Sequence, residues 1–275
     1  MNVDLHSHST ASDGLLKPQD LVARAAANGV EILALTDHDG VSGLSEARAK
    51  AESEGVRFVD GVEISVTWGG STVHIVGLQI DPQDPVLRSG LESIREGRVR
   101  RAEKIGEALA AAGVPDSLAG AKTYAENPHL ISRSHFARQL AKTGWARDVK
   151  SVFQHYLVKG KPGFVQHRWA SLGDAVSWIR ASGGIAVVAH PGRYNFPRLE
   201  LHAFLAQFRD CGGAGIEVVT GSHSPEQYVE YARIAREFGF SASRGSDYHG
   251  KGESKADLGA LPQLPDDLKP VWHDW

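Results

Sequence analysis

The sequence predicts an α/β fold in which strand–helix units build a mostly parallel sheet or barrel. Short apolar runs alternate with helical patterns through the outer parts of the chain. Those runs end, one after another, in His, Asp or Glu, and in parallel α/β folds that end of the strands is where functional sites form. At 275 residues the chain has room for one large barrel or two modest domains, either with a substantial core.

The elements follow in order. Residues 3–5 are the first apolar run and the first expected strand. A helix then opens with Pro18 in its first turn, is apolar at Leu21, Val22 and Ala25, and stops at Gly29. Residues 31–36 read as a second strand, buried on both faces by composition. A helix over about 43–54 is ended by Gly55. Residues 56–59 and 62–66 read as strand, ending near Glu63, and 71–80 alternate as a fourth strand after the Trp68-Gly69-Gly70 turn. From Pro85 to about Gly160 the pattern is helical with no convincing strand, including helices at 134–142 and 148–157. Alternation resumes with a helix to Ala181, for which Ser171 and Asp174 form a capping box. Strands at 185–189, 215–219 and 241–245 then alternate with helices at 199–209 and 225–238. This gives about seven strands. The expected division is a barrel of residues 1–84 and 165–275 interrupted by a helical insertion, 85–164, that serves as a substrate lid.

Composition narrows the function classes. The chain is 41% hydrophobic and 23% charged, as in ordinary globular proteins. It has no apolar run of membrane-spanning length and no secretory leader pattern. A single cysteine, Cys211, excludes an internal disulfide and suits a reducing compartment. The expectation is therefore a cytoplasmic protein with no membrane role and no obligatory protein partner. The net charge of −3 hides an asymmetry: residues 95–168 hold 14 Lys and Arg against 6 Asp and Glu. Such a basic segment is either a solvated face or a surface that attracts a polyanion.

The strand ends carry the chemistry. The first gives His6-Ser7-His8, with Asp13 close behind, and the second gives Thr36-Asp37-His38. Glu63 and His74 follow, then Ala189-His190-Pro191 and Ser246-Asp247-Tyr248-His249. Histidines two apart on extended chain share a face, so both rings can reach one ion. Any one of these residues could be a cap or a satisfied core polar group. All of them together, at successive strand ends, point to metal. Six histidines (His6, His8, His38, His74, His190 and His249) with Asp13, Glu63 and Asp247 are enough ligands for two or three divalent ions, Glu63 being a candidate bridge. Imidazole and carboxylate together suit Zn, Mn, Fe or Co better than Mg or Ca. Such a site implies a hydroxide nucleophile generated at metals held by Asp13, Glu63 and His190, with no covalent enzyme intermediate.

In this order and spacing, the motifs resemble those of the polymerase-and-histidinol-phosphatase (PHP) family. The resemblance implies a distorted (β/α)₇ barrel and the same nine residues as ligands, with manganese the first choice of metal and zinc or iron the alternatives. The helical insertion before the Ala-His-Pro motif resembles that of the 3′,5′-nucleoside bisphosphate phosphatases. This implies a hydrolase that removes the 3′-phosphate of a small-molecule nucleotide substrate and leaves a 5′-monophosphate. A 5′-to-3′ exoribonuclease acting on short 5′-phosphorylated RNA is the alternative, and a histidinol-phosphate-type phosphatase a third. The resemblance gives Ser132-Arg133-Ser134-His135 as substrate contacts, and a guanidinium beside a helix start suits an anion. Arg193, three residues after His190, is either a second phosphate clamp or half of a salt bridge. His223 could touch substrate, and Trp68, Trp145 or Trp169 could stack on a base.

Overall fold

The computed structural model describes residues 1–275. Seven strands form one sheet in chain order: β1 (Val3–Asp4), β2 (Ile32–Leu35), β3 (Arg57–Trp68), β4 (Ser71–Leu78), β5 (Ile185–Val188), β6 (Gly215–Thr220) and β7 (Ser241–Gly245). β1–β2–β3 and β5–β6–β7 pair in parallel, and β4 is antiparallel to both its neighbours. The sheet curls until its edges meet. Leu5 N–H donates to the Arg244 carbonyl at 3.0 Å, and Ser7 bridges Tyr248. The result is a nearly closed, distorted (β/α)₇ barrel.

Period-two alternation explains what fills it. Val3, Leu5, Ile32, Ala34, Val59, Val76, Leu78, Val187 and Ala189 form a separate apolar cluster with Val271 of the C-terminal tail, which is the barrel interior. The alternate residues, such as Leu33, Leu35, Ile64, Ile75 and Val188, join a larger core with the surrounding helices. Those helices are α1 (Pro18–Ala27), α2 (Leu44–Glu54), α7 (Leu172–Ala181), α8 (Arg198–Asp210) and α9 (Pro225–Phe238). Helix α9 has a full capping box, Ser224 with Gln227. In α7 Ser171 does accept from the Asp174 N–H, but the Asp174 carboxylate takes the Ser171 hydroxyl rather than closing a reciprocal box.

β3 is one strand of 12 residues, not two runs broken at Asp60-Gly61. The glycine marks a close approach rather than a turn: a Cβ at Gly61 would lie 2.7 Å from Thr36 Cγ2 and 3.0 Å from the Leu35 carbonyl oxygen. Gly61→Ala should therefore destabilise the fold by about 1–3 kcal/mol, read as a lower urea midpoint. An unchanged midpoint would mean that β2 and β3 can move apart freely.

Between β4 and β5 the chain is helical. It holds α3 (Pro85–Ala111), α4 (Ser117–Lys122), α5 (Arg133–Lys142) and α6 (Val149–Val152), the last running into a π-helical turn over Phe153–Leu157. Leu87, Leu91 and Ile94 of α3 pack in the large core. From Ala102 to Leu157 the segment has its own apolar cluster around Phe136 and Leu140. No helix of the protein is long and apolar enough to cross a membrane.

Candidate active site

Above the apolar layer the same inward register turns polar. Glu63 follows Val59 by four residues on β3, and His74 precedes Val76 by two on β4, so both project into the barrel mouth. Glu63 lies within its strand, not at its end, because the β3–β4 hairpin continues past the rim. The other groups sit on turns just beyond β1, β2, β5 and β7. Three of those turns hold non-glycine residues at positive φ: Asp39 at 47°, His190 at 27° and Asp247 at 54°. Such conformations persist only where surrounding contacts enforce them.

All nine residues expected as ligands converge. They fall into overlapping groups: His8, Asp13, His38 and His249; His6, His190 and Asp247; His6, His8 and Glu63; and His38, Glu63 and His74. His6 Nε2 and His8 Nε2 face each other at 3.1 Å. Each lies 3.3–3.5 Å from Glu63 Oε2 and Asp247 Oδ1. For metal–ligand bonds of about 2.1 Å, tetrahedral geometry places ligand atoms roughly 3.4 Å apart, longer than an ordinary hydrogen bond. Asp13 Oδ1, Glu63 Oε2 and Asp247 Oδ1 are buried with no hydrogen-bond partner, a costly arrangement unless a cation completes it. Glu63 is shared, with Oε2 2.9 Å from His38 Nδ1 and Oε1 2.8 and 2.9 Å from His74 Nδ1 and His190 Nε2. The donor set fits divalent metal.

At the carboxylates and His190 the protonation pattern agrees, whereas at His6 and His8 burial is outweighed by neighbouring carboxylates that hold both rings above the usual imidazole range, His8 to about 9. Burial works against charge on Asp13, Glu63 and Asp247, yet the neighbouring imidazoles hold all three carboxyls well below the ordinary range. Burial and then Arg193 push His190 down to about 3, which keeps it a neutral ligand.

Glu217 is the group that sequence reasoning missed. It is 1% exposed on β6, accepts from His6 Nδ1–H at 2.7 Å and also accepts the His190 N–H at 2.5 Å. That fixes the His6 tautomer with Nε2 towards the cluster. The signal was present as a lone acid in an otherwise apolar strand, Gly-Ile-Glu-Val-Val-Thr. Glu217→Gln should weaken metal binding about 10–100-fold, measured by chelator competition on folded protein. Unchanged affinity would leave Glu217 a packing residue only.

The insertion reaches the cluster through α5. Ser132 Oγ donates to Asp13 Oδ2 at 2.8 Å, and Arg138, paired with Glu253, donates to the Asp13 carbonyl at 2.5 Å. Ser132, Arg133 and Ser134 line a cavity of about 130 Å³ shared with the histidine cluster. His135 does not. It is 1% exposed, accepts the Ser132 N–H through Nδ1 and is pushed by burial to about 4. It is a neutral helix cap, because the capping box turns its ring inward. Arg193 takes the salt-bridge alternative, 2.8 Å from Asp247 Oδ2, though it also lines the cavity. His223 bonds the Gly192 N–H and the Val218 carbonyl and holds those two turns together. Trp169 reaches the cavity, but Arg98, Arg101 and His167 crowd its ring.

Two further arginines were not singled out from sequence. Arg98 pairs with Asp39 at 2.5 Å and donates to Ser65 Oγ. Arg101 is 9% exposed, lines the same cavity and, like Arg133, has no carboxylate within ion-pair distance. Burial, then Arg133 and Arg98, push Arg101 down to about 9.

Residues 4–87 match the PHP domain family. A 3′,5′-nucleoside bisphosphate phosphatase from Chromobacterium violaceum is 50% identical over 99% of this chain and 96% of its own length. The chain belongs to the PHP family. Another relative, a 5′-3′ exoribonuclease from Haemophilus influenzae, is 41% identical over 98% of this chain and 97% of that protein. A solved structure of a putative metal-dependent phosphoesterase from Bifidobacterium adolescentis superposes with a TM-score of 0.83. It is 26% identical and covers 98% of this chain and 93% of that one. The PHP match of residues 4–87 takes in His6, His8, Asp13, His38, Glu63 and His74, while His190, Asp247 and His249 come from beyond it.

Proposed function

We propose that this metal-dependent phosphoesterase hydrolyses the 3′-phosphate of nucleoside 3′,5′-bisphosphates and leaves the 5′-monophosphate. One observation carries the reading: a single cavity is lined by the carboxylate–histidine cluster and by two guanidiniums, Arg101 and Arg133, that bond only to carbonyls. Arg101 is buried and Arg133 half-buried; cations that repel each other with no carboxylate in reach are costly, and a dianionic phosphate relieves both. A ligand with two phosphates satisfies both ends of the cavity, and the relative from Chromobacterium violaceum is named for such a substrate.

His6, His8, Asp13, His38, Glu63, His74, His190, Asp247 and His249 would hold two or three divalent ions, manganese by preference. When bound, the ions supply Lewis-acid stabilisation of the phosphoryl oxygens and an activated water. Arg133 and Arg101 bind the 5′-phosphate, aided by Ser134 and the first N–H groups of α5. Ser132 ties Asp13 to the helix that carries Arg133, so the two ends of the substrate site keep a fixed distance. Residues 85–164 act as the lid over the barrel of residues 1–84 and 165–275.

The test is phosphate release from adenosine 3′,5′-bisphosphate, adenosine 5′-monophosphate, histidinol phosphate and a short 5′-phosphorylated RNA, with manganese and with a chelator. Fast, chelator-sensitive release from the bisphosphate is expected. An inert bisphosphate beside shortened RNA would replace this reading with the exoribonuclease one. That second reading draws on the relative from Haemophilus influenzae and on the same 5′-phosphate pocket.

A further inference from the structure

A second cavity is larger than the one over the metal cluster. It measures about 530 Å³ and lies between α3 and the turn after β2, lined by Ser42, Arg48, Gln83, Arg88, Arg95 and Asn127 among others. That volume is in the range of small-molecule sites, but the lining is polar and cationic rather than apolar. Arg48 is engaged by Asp60. Arg88 donates only to Gln83 Oε1 and Arg95 only to the Asp39 carbonyl, so neither has a carboxylate partner. Exposed Glu92, on the same helix, acts on Arg95 without pairing with it.

This cavity and the metal pocket adjoin. Asp39 is the divide between them, its carbonyl accepting from Arg95 at 3.1 Å and its carboxylate from Arg98 at 2.7 Å. Arg98 and Arg101 line the metal pocket, and Arg88 and Arg95 line the larger cavity. Spacings of seven, three and three residues set these four guanidiniums along α3 on a stripe that turns through about 140° between Arg88 and Arg101. From Arg88 to Arg101 the row extends roughly 20 Å at 1.5 Å per residue, the length of several nucleotides.

We infer that the larger cavity binds the nucleotide downstream of the scissile bond in a 5′-phosphorylated oligonucleotide. The inference rests on the reading above, in which the terminal 5′-phosphate sits at Arg101 and Arg133. The strand then passes the metal cluster and runs along α3 towards Arg88, its phosphates following the guanidinium row. A bisphosphonucleotide places both its phosphates at the metal pocket and does not extend to Arg88. The larger cavity matters only for longer substrates.

The experiment uses manganese-loaded protein and a length series: adenosine 3′,5′-bisphosphate and 5′-phosphorylated di-, tri- and pentaribonucleotides. Arg88→Glu is compared with wild type and with Arg209→Glu, an exposed charge reversal on distant α8. Arg88 is exposed, so the fold has no need of it. Arg88→Glu should raise KM at least tenfold for the tri- and pentanucleotide, with the bisphosphate as the reference that keeps its KM. The log–log salt slope for the pentanucleotide should also fall by about one phosphate contact. Arg209→Glu should change none of these. Equal losses on the bisphosphate and the pentanucleotide, or no loss on either, would overturn the downstream site. So would a wild-type protein that hydrolyses the bisphosphate but no oligonucleotide. A wild-type protein inert towards the bisphosphate yet trimming oligonucleotides with the Arg88 effect would overturn the bisphosphatase reading and leave the downstream site standing.

Discussion

Asp13→Ala and His190→Ala should each lose on the order of 10³-fold or more in kcat while the protein stays folded. The size follows from what each residue anchors. Asp13 Oδ1 is a buried oxygen without a hydrogen-bond partner, 3.4 Å from His249 Nε2 and 3.9 Å from His38 Nε2. Its removal deletes the one carboxylate from the group it forms with His8, His38 and His249. His190 groups with His6 and Asp247, and its Nε2 lies 2.9 Å from Glu63 Oε1. Losing a ligand there removes Lewis-acid and water-activating stabilisation worth several kcal/mol, each 1.36 kcal/mol being tenfold in rate. Folding should survive, because an empty ligand cluster is itself a source of repulsion and desolvation. Circular dichroism and metal analysis alongside the kinetics would check this. Full activity in either variant would sink the cluster as the catalytic centre.

The second large effect concerns the other end of the cavity. Arg133→Ala should lower kcat/KM for the bisphosphate about 100-fold, in line with the 2–5 kcal/mol typical of truncating one partner of a buried charged pair. A nucleoside 3′-monophosphate, which has no 5′-phosphate to bind, should be hydrolysed equally slowly by both proteins. The ratio between the two substrates is therefore the decisive readout, since damage to the fold would lower both. Arg133→Lys should recover only part of the preference, because an ammonium cannot make the bidentate contact. If the ratio stayed unchanged in the alanine variant, the 5′-phosphate would have to bind elsewhere, with Arg98, Arg101 and Arg193 the remaining cations in the cavity.

Much of this was legible in the chain. Strand and helix order came from periods of two and 3.6 residues, which are local and survive in any one-dimensional reading. The nine donors stood out for the same reason, each closing or interrupting an apolar run. Boundaries were less secure: the break read at Asp60-Gly61 is a close approach between strands within the unbroken β3.

What only the tertiary structure decided has a common cause, namely contacts between residues far apart in sequence. Glu63 and His190 meet across 127 positions and His6 and Glu217 across 211, so no local pattern could assign Glu217 its role. The capping box of α5 turns His135 into the protein and leaves Arg133 in the cavity, a choice that identical tetrapeptide spelling does not reveal. Arg98 and Arg101 looked like two cations among the 14 of a basic segment. Only the packing of α3 against the barrel mouth, where burial removes solvent and no acid meets Arg101, gives them separate meanings. Composition and periodicity therefore determined the fold class and the metal-binding chemistry. The pairing of charges across the barrel mouth determined where a second phosphate can go, because electrostatic strength depends on distance and burial, and neither is written in residue order.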